Sequence, residues 1–172
     1  MTVRLATDSA SSVTSSPFDL VNVLLVDNDR GRLARSCGWL LAKGYDVTTR
    51  STGHELTKAV RELRPAIVLI DVLVPDLGSQ ELRQFLQHCH ASSGPQVIVH
   101  SHLLPKILRA VVDTQLILGV VRPTEDEHEF SQQLEALTGL SATARPRRPT
   151  SGTHRIDFVE ATGASRNRRQ AG

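Results

Sequence analysis

The chain has 172 residues, a formal net charge of +2 and 40% hydrophobic residues. This length fits one ordinary domain with residues to spare, and this hydrophobic content can supply a buried core. No apolar run approaches the roughly 20 residues that cross a bilayer, and the first twenty residues lack the apolar stretch of a secretory signal. We therefore expect a globular protein of the cytoplasm.

The positive charge is concentrated at one end of the chain. Residues 141–172 contain seven arginines against Asp157 and Glu160, a net charge of +5, so the remaining residues carry −3. This tail has little apolar periodicity, and we expect it to be disordered and to bind an acidic partner. Residues 1–18, rich in Ser and Thr, are also expected to be disordered. The compact domain should span residues 19–140.

The compact domain begins with an apolar run at residues 21–27, which predicts a buried strand. Asp29 follows at the position of a helix N-cap. The next residues have apolar side chains at helical spacing, and Gly44 supplies the left-handed residue that commonly ends a helix. The domain is therefore expected to open with a strand, a short acidic segment and a helix.

The same alternation continues to the end of the domain. A second strand is predicted at residues 45–49, and Pro65 separates the second helix from the third strand. The later elements are predicted in this order: helix 53–63, strand 66–71, helix 80–90, strand 97–101, helix 104–112, strand 116–121 and helix 126–137. Five strand–helix repeats predict an α/β domain with a parallel sheet.

Polar residues stand where the predicted strands end. Asp27 ends the first strand, Asp71 the third and Ser101 the fourth, while Arg122 follows the fifth. The carboxyl ends of the strands border the ligand crevice in open α/β sheets, so we expect these side chains to meet there. Asp71, which follows five apolar residues, is the leading candidate for a functional residue.

This pattern resembles the receiver domain of bacterial response regulators, a flavodoxin-like (βα)5 fold with a five-stranded parallel sheet. The resemblance covers about residues 19–140. The motifs that carry it are Val26-Asp27-Asn28-Asp29, Asp71-Val-Leu-Val-Pro75, Ser101 and Val121-Arg122-Pro123. It implies that Asp71 accepts a phosphoryl group from a sensor histidine kinase or a phosphotransfer protein, without turnover of another substrate. It also implies a cis peptide bond before Pro123.

The resemblance assigns further roles around Asp71. The implied ligands of a Mg²⁺ ion are Asp27, Asn28, Asp71 and the backbone carbonyl of Leu73. Ser101 would sense the phosphoryl group, and Arg122 would take the place of the lysine of the family. Asn28 stands where the family has a second acid, so magnesium binding is expected to be weak.

Three functions are compatible with these residues. The first is a stand-alone response regulator, because the 32 residues after the domain are too few for a helix-turn-helix output domain; it would signal through contact with an unidentified downstream protein. The second is a degenerate receiver that binds a partner without phosphorylation, with Arg122 paired permanently to Asp27 and Asp71. The third, supported by fewer features, is a haloacid-dehalogenase-like phosphatase that uses Asp27 and Asp29.

Histidines near the strand ends raise two further questions. The segments His88-Cys-His90 and His100-Ser-His102 contain residue types that bind zinc, but the predicted fold puts them at opposite edges of the sheet, which disfavours a shared site. A shift of one residue in strand register would put His100, instead of Ser101, at the hydroxyl position.

Overall fold

The described part of the protein is one α/β domain. The computed structural model describes residues 20–91 and 94–140. The disorder expected for residues 1–18 and 141–172, and the acidic partner expected for the tail, lie outside the described residues. Within the described ranges, no helix is both long enough and apolar enough to span a membrane.

Strands and helices alternate along the chain, as predicted. The strands are β1 (Asn22–Val26), β2 (Asp46–Arg50), β3 (Ile67–Ile70), β4 (Gln96–His100) and β5 (Gly119–Val121). The helices are α1 (Arg30–Ala42), α2 (Leu56–Leu63), α3 (Ser79–Ala91), α4 (Pro105–Val111) and α5 (Glu127–Thr138). All strand pairs are parallel, and the strand order is β2-β1-β3-β4-β5. This confirms the predicted flavodoxin-like fold.

Helices cover both faces of the sheet, which explains why the central strands are apolar along their length. On one face, α2, α3 and α4 form a core with strand residues such as Leu24 and Val68. On the other face, α1 and α5 form a second core with Leu25 and Leu69. The four residues of β3 are all buried, so this strand can end in a functional side chain while its backbone stays dry.

Three local predictions differ from the structure. The last strand begins at Gly119, later than predicted, because residues Thr114–Leu116 form a 3-10 turn that the Asp113 carboxylate caps through the backbone N–H of Gln115. Helix α2 begins at Leu56 because Glu55 has a left-handed backbone and no side-chain cap. The expected cis bond is wrong, since the structure has a trans peptide between Arg122 and Pro123.

Strand register brings the two strand-end acids together. Val26 of β1 pairs with Ile70 of β3, so the next residues, Asp27 and Asp71, leave adjacent strands at the same level. Both strands are parallel and end at the carboxyl edge of the sheet, where ligands bind in folds of this class. The fold therefore places the two carboxylates side by side at the carboxyl edge of the sheet.

Truncation of Leu69, a buried side chain of β3, tests the packing of the sheet against α1 and α5. Leu69 is fully buried, and Leu69→Ala should lower the free energy of unfolding by about 2–5 kcal/mol because it removes apolar burial and leaves a cavity. Leu104→Ala is the matched control, since Leu104 is 65% exposed and should change it by less than about 0.5 kcal/mol. Urea unfolding of both variants measures the difference; equal losses would contradict this packing.

Candidate functional site

The site forms where β1 passes into α1. The backbone N–H of Asp29 donates a 2.8 Å hydrogen bond to Asp27 Oδ1, and Asp29 Oδ1 in turn accepts the backbone N–H of Arg32 at 2.9 Å. Asp29 is thus the N-cap of α1, as predicted. These two bonds set the direction in which the first turn of α1 leaves the strand, and they place Arg32 above the ends of β1 and β3.

The guanidinium of Arg32 joins the two strand-end acids. Its Nη2 atom donates to Asp27 Oδ1 at 2.8 Å, its Nε atom donates to Asp27 Oδ2, and Nη2 also contacts Asp71 Oδ2. The remaining carboxylate oxygen, Asp71 Oδ1, accepts the backbone N–H of Leu73 at 3.0 Å. All four carboxylate oxygens are therefore hydrogen-bonded, three of them to one arginine.

This cluster is buried. Asp27 is 0% exposed, Asp71 3% and Arg32 9%. Burial alone would raise the pKa of Asp27, but the hydrogen bonds from the guanidinium of Arg32 and from the N–H of Asp29 outweigh it, so the pKa lies below its ordinary value of 3.8. The hydrogen bond to Asp27 raises the pKa of Arg32, against the opposing effect of burial. Both groups are thus charged around neutral pH.

His100 lies beside the two acids. Ile70 of β3 pairs with Val99 of β4, so His100 follows at the level of Asp71. Its Nδ1 atom is 3.6 Å from Asp27 Oδ2, which is longer than a hydrogen bond, and neither ring nitrogen has a hydrogen-bond partner among the described residues. The shorter contacts from Arg32 and Asp29 are therefore the ones that we hold responsible for keeping Asp27 ionised.

The other predicted site residues are placed in different ways. Ser101 is buried, and its Oγ atom accepts the backbone N–H of Leu103 at 3.2 Å. Asn28 is exposed. Arg122 is exposed as well, and its backbone N–H donates to Gln133 Oε1 at 2.7 Å. Within the described residues the arginine that pairs with both acids is Arg32, so the permanent pairing of Arg122 that the degenerate-receiver alternative contained is not present in this structure.

Arg32 was not among the residues predicted from the sequence. The resemblance assigns the positive charge to Arg122, which stands where the family has a lysine, whereas Arg32 lies within a helix, where an arginine is usually a solvated surface residue. The position of Arg32 in the sequence could nevertheless have identified it. A residue three positions after an N-cap lies in the first helical turn, close to the strand that the helix follows, and a cation there can reach an acid at the strand end.

The site can be compared with the needs of a magnesium ion. Mg²⁺ requires oxygen ligands at about 2.0–2.1 Å in near-octahedral geometry. The carboxylate oxygens of Asp27 and Asp71 that would be the metal ligands already accept hydrogen bonds from N–H donors. Asn28 adds no negative charge that would attract a cation. Among the described residues there is no group of three His, Cys, Asp or Glu that could hold a metal. In this arrangement the residues do not fit a bound divalent cation.

Sequence comparison finds response regulators. The chain is 29% identical over 105 residues to the DNA-binding response regulator MtrA of Mycobacterium tuberculosis, which is 60% of this chain and 41% of that protein. It is equally similar to the protein of the same name from Mycobacterium leprae, with 42% of that protein covered. The chain thus spans about two fifths of the length of these curated relatives. No protein-family model matches the sequence.

Solved receiver domains share the fold. The receiver domain of the sensor histidine kinase PA1611 from Pseudomonas aeruginosa, solved with a magnesium ion coordinated in its active site cleft, superposes with a TM-score of 0.59 at 17% identity and covers 70% of this chain and 99% of that one. The chemotaxis response regulator CheY4 of Vibrio cholerae gives a TM-score of 0.55 at 18% identity, covering 69% and 98%.

The fold and the sequence similarity point to one class of protein. The described domain has the fold of receiver domains, and its sequence is similar to that of response regulators. It departs from the implied pattern at the centre of its site, where an arginine side chain lies between the two carboxylates.

Removal of Arg32 should destabilise the domain strongly. Arg32→Met leaves two buried carboxylates without their cation, and the loss of one partner from a buried ion pair costs about 3–5 kcal/mol. Arg35→Met is the matched control on the same helix, because the Arg35–Glu125 pair is exposed and should contribute at most about 1 kcal/mol. Urea unfolding at neutral pH measures both; a loss for Arg32→Met no larger than the control would contradict the buried pairing.

The pH dependence of the free energy of unfolding should also show the ion pair between Arg32 and Asp27. Because the folded pKa of Asp27 lies below 3.8, the stability that this group contributes is complete above its unfolded pKa of about 4 and is lost as the pH falls through the folded value. Asp27→Asn should therefore lose less stability than the wild type when the pH falls from neutral to below 4. The matched control is Asp46→Asn, the same substitution at an exposed position outside the cluster. Parallel losses in all three proteins would contradict the pKa shift.

Proposed function

We propose that this receiver domain signals through protein contact without accepting a phosphoryl group on Asp71. The supporting observation is the guanidinium of Arg32, which bonds to Asp27 and Asp71 at once. A carboxylate nucleophile needs a free oxygen that can approach the phosphorus, and a cation that neutralises the incoming oxygens. Here one Asp71 oxygen accepts from Arg32 and the other from the backbone of Leu73.

The accessibility of Asp71 points in the same direction. Its side chain is 5% exposed, so a phosphoryl donor could reach it only after Arg32 had moved. Moving Arg32 would separate a buried ion pair and leave charges unpaired, which costs several kcal/mol. Of the functions compatible with the sequence, the phosphorylation-independent receiver therefore has the stronger support.

Phosphoryl acceptance on Asp71 is the second candidate. It is favoured by the position of Asp71 beside Asp27 at the carboxyl edge of the sheet, and by the similarity to response regulators. In that case a sensor histidine kinase or a phosphotransfer protein would be the donor, magnesium would have to enter the site, and Ser101 and Arg122 would contact the phosphoryl group. The haloacid-dehalogenase-like reading has no such support, because Asp29 is used as a helix cap.

Incubation with acetyl phosphate and magnesium, read by intact mass, separates the two candidates. We expect no added phosphoryl mass on the wild type at millimolar magnesium, because the reacting oxygen of Asp71 is paired with Arg32. Asp71→Asn is the control for modification elsewhere in the chain. A phosphoryl adduct on the wild type that is absent from Asp71→Asn would contradict the proposal and establish the second candidate.

A further inference from the structure

Arg32 lies where a divalent cation would need to bind. We propose that Arg32 is a tethered replacement for a divalent cation, and that removing its guanidinium opens a site for Mg²⁺ or Mn²⁺ between Asp27 and Asp71. The inference rests on the proposed function, because it states what holds the two acids in a receiver that works without phosphorylation. It assigns to Arg32 a role that the sequence alone did not reveal.

Geometry is the first support. The guanidinium contacts three of the four carboxylate oxygens of Asp27 and Asp71, so it uses the same ligand atoms that a metal ion would use. A hydrated magnesium ion gives up its waters reluctantly and requires close oxygen ligands. It would have to displace N–H donors that form strong charge-assisted hydrogen bonds. The Arg32 guanidinium and a divalent cation therefore cannot both bind the carboxylate oxygens of Asp27 and Asp71 at the same time.

Charge is the second support. Asp27 and Asp71 bring two negative charges, and Asn28, the adjacent side chain, brings none. One guanidinium therefore leaves a single net negative charge on the cluster. A third acid at position 28 would leave two, and a divalent cation would then be needed to reach the same net charge. The combination of asparagine at 28 and arginine at 32 therefore has, without a metal ion, the same net charge of −1 that three acids and a divalent cation would have.

The third support is the way in which Arg32 is held. Its backbone N–H is fixed by the Asp29 cap, and its side chain is only 11% exposed. By contrast, Arg35, one turn further along α1, pairs with Glu125 at the surface, with side chains 43% and 85% exposed. A guanidinium does not lose its proton in proteins. Unlike a bound ion, Arg32 therefore cannot dissociate into solution and is present at every metal concentration.

Binding of Mn²⁺ to the 172-residue chain, followed by electron paramagnetic resonance, tests the inference. The wild type and Arg35→Met should bind no Mn²⁺ at millimolar concentration, apart from weak surface association. Arg32→Met should bind one Mn²⁺ at least about tenfold more tightly than the wild type. Asn28→Asp combined with Arg32→Met should bind still more tightly, because it adds a third carboxylate. Asp71→Asn in the Arg32→Met protein should abolish this binding.

Two results would overturn the inference. One is wild-type Mn²⁺ binding as tight as that of Arg32→Met; the other is no binding by either, which would make Arg32 an ordinary structural ion pair. If Arg32→Met does not fold, Arg32→Lys decides, since an ammonium keeps one charge but cannot reach three oxygens. It should bind Mn²⁺ more tightly than the wild type, and equal affinities would again overturn the inference.

This experiment is independent of the test of phosphorylation. A wild type that binds Mn²⁺ but gains no phosphoryl mass would refute the role of Arg32 as a replacement cation and leave the proposed function standing. A wild type that gains a phosphoryl group on Asp71 would refute the proposed function, whatever its affinity for Mn²⁺.

Discussion

The buried ion pair of Arg32 with Asp27 and Asp71 is the interaction on which the carboxyl edge of the sheet depends. Parallel strand register forces the two acids together, and burial would penalise both charges if nothing neutralised them. The guanidinium offers donors in a rigid fork that matches carboxylate oxygens. It can do so only because the Asp29 cap directs the first turn of α1 over the strand ends.

A domain with this ion pair has a fixed electrostatic state at the carboxyl edge of its sheet. In a site that exchanges a metal ion or a phosphoryl group, the local charge changes with the signal, and the surrounding loops respond to that change. Here the charges of Asp27, Asp71 and Arg32 are covalently attached to the chain. Under the proposed function, a change in signalling state comes from partner binding, because the ion pair itself does not depend on a diffusible ion.

The sequence predicted the fold and the strand-end acids because both follow from local patterns. Buried apolar runs alternate with helical periodicity, and each functional acid directly follows such a run. Arg32 could not be identified in the same way, because its contact with Asp71 joins residues far apart in the chain and depends on the angle at which α1 leaves β1. Arg122 was predicted because it stands where the resembling family has a lysine; in the structure this residue is exposed and its backbone N–H donates to Gln133 of α5.

Whether magnesium can displace Arg32 from Asp27 and Asp71 is measured most directly by the NMR signal of the Arg32 Nε–H group while the wild type is titrated with magnesium. The account predicts a distinct, slowly exchanging resonance that keeps its position and its protection through millimolar Mg²⁺, while the exposed Arg35 Nε–H exchanges rapidly throughout. A saturable shift of the Arg32 signal, or its loss of protection as magnesium is added, would contradict the account, because it would mean that the ion displaces the guanidinium from Asp27 and Asp71.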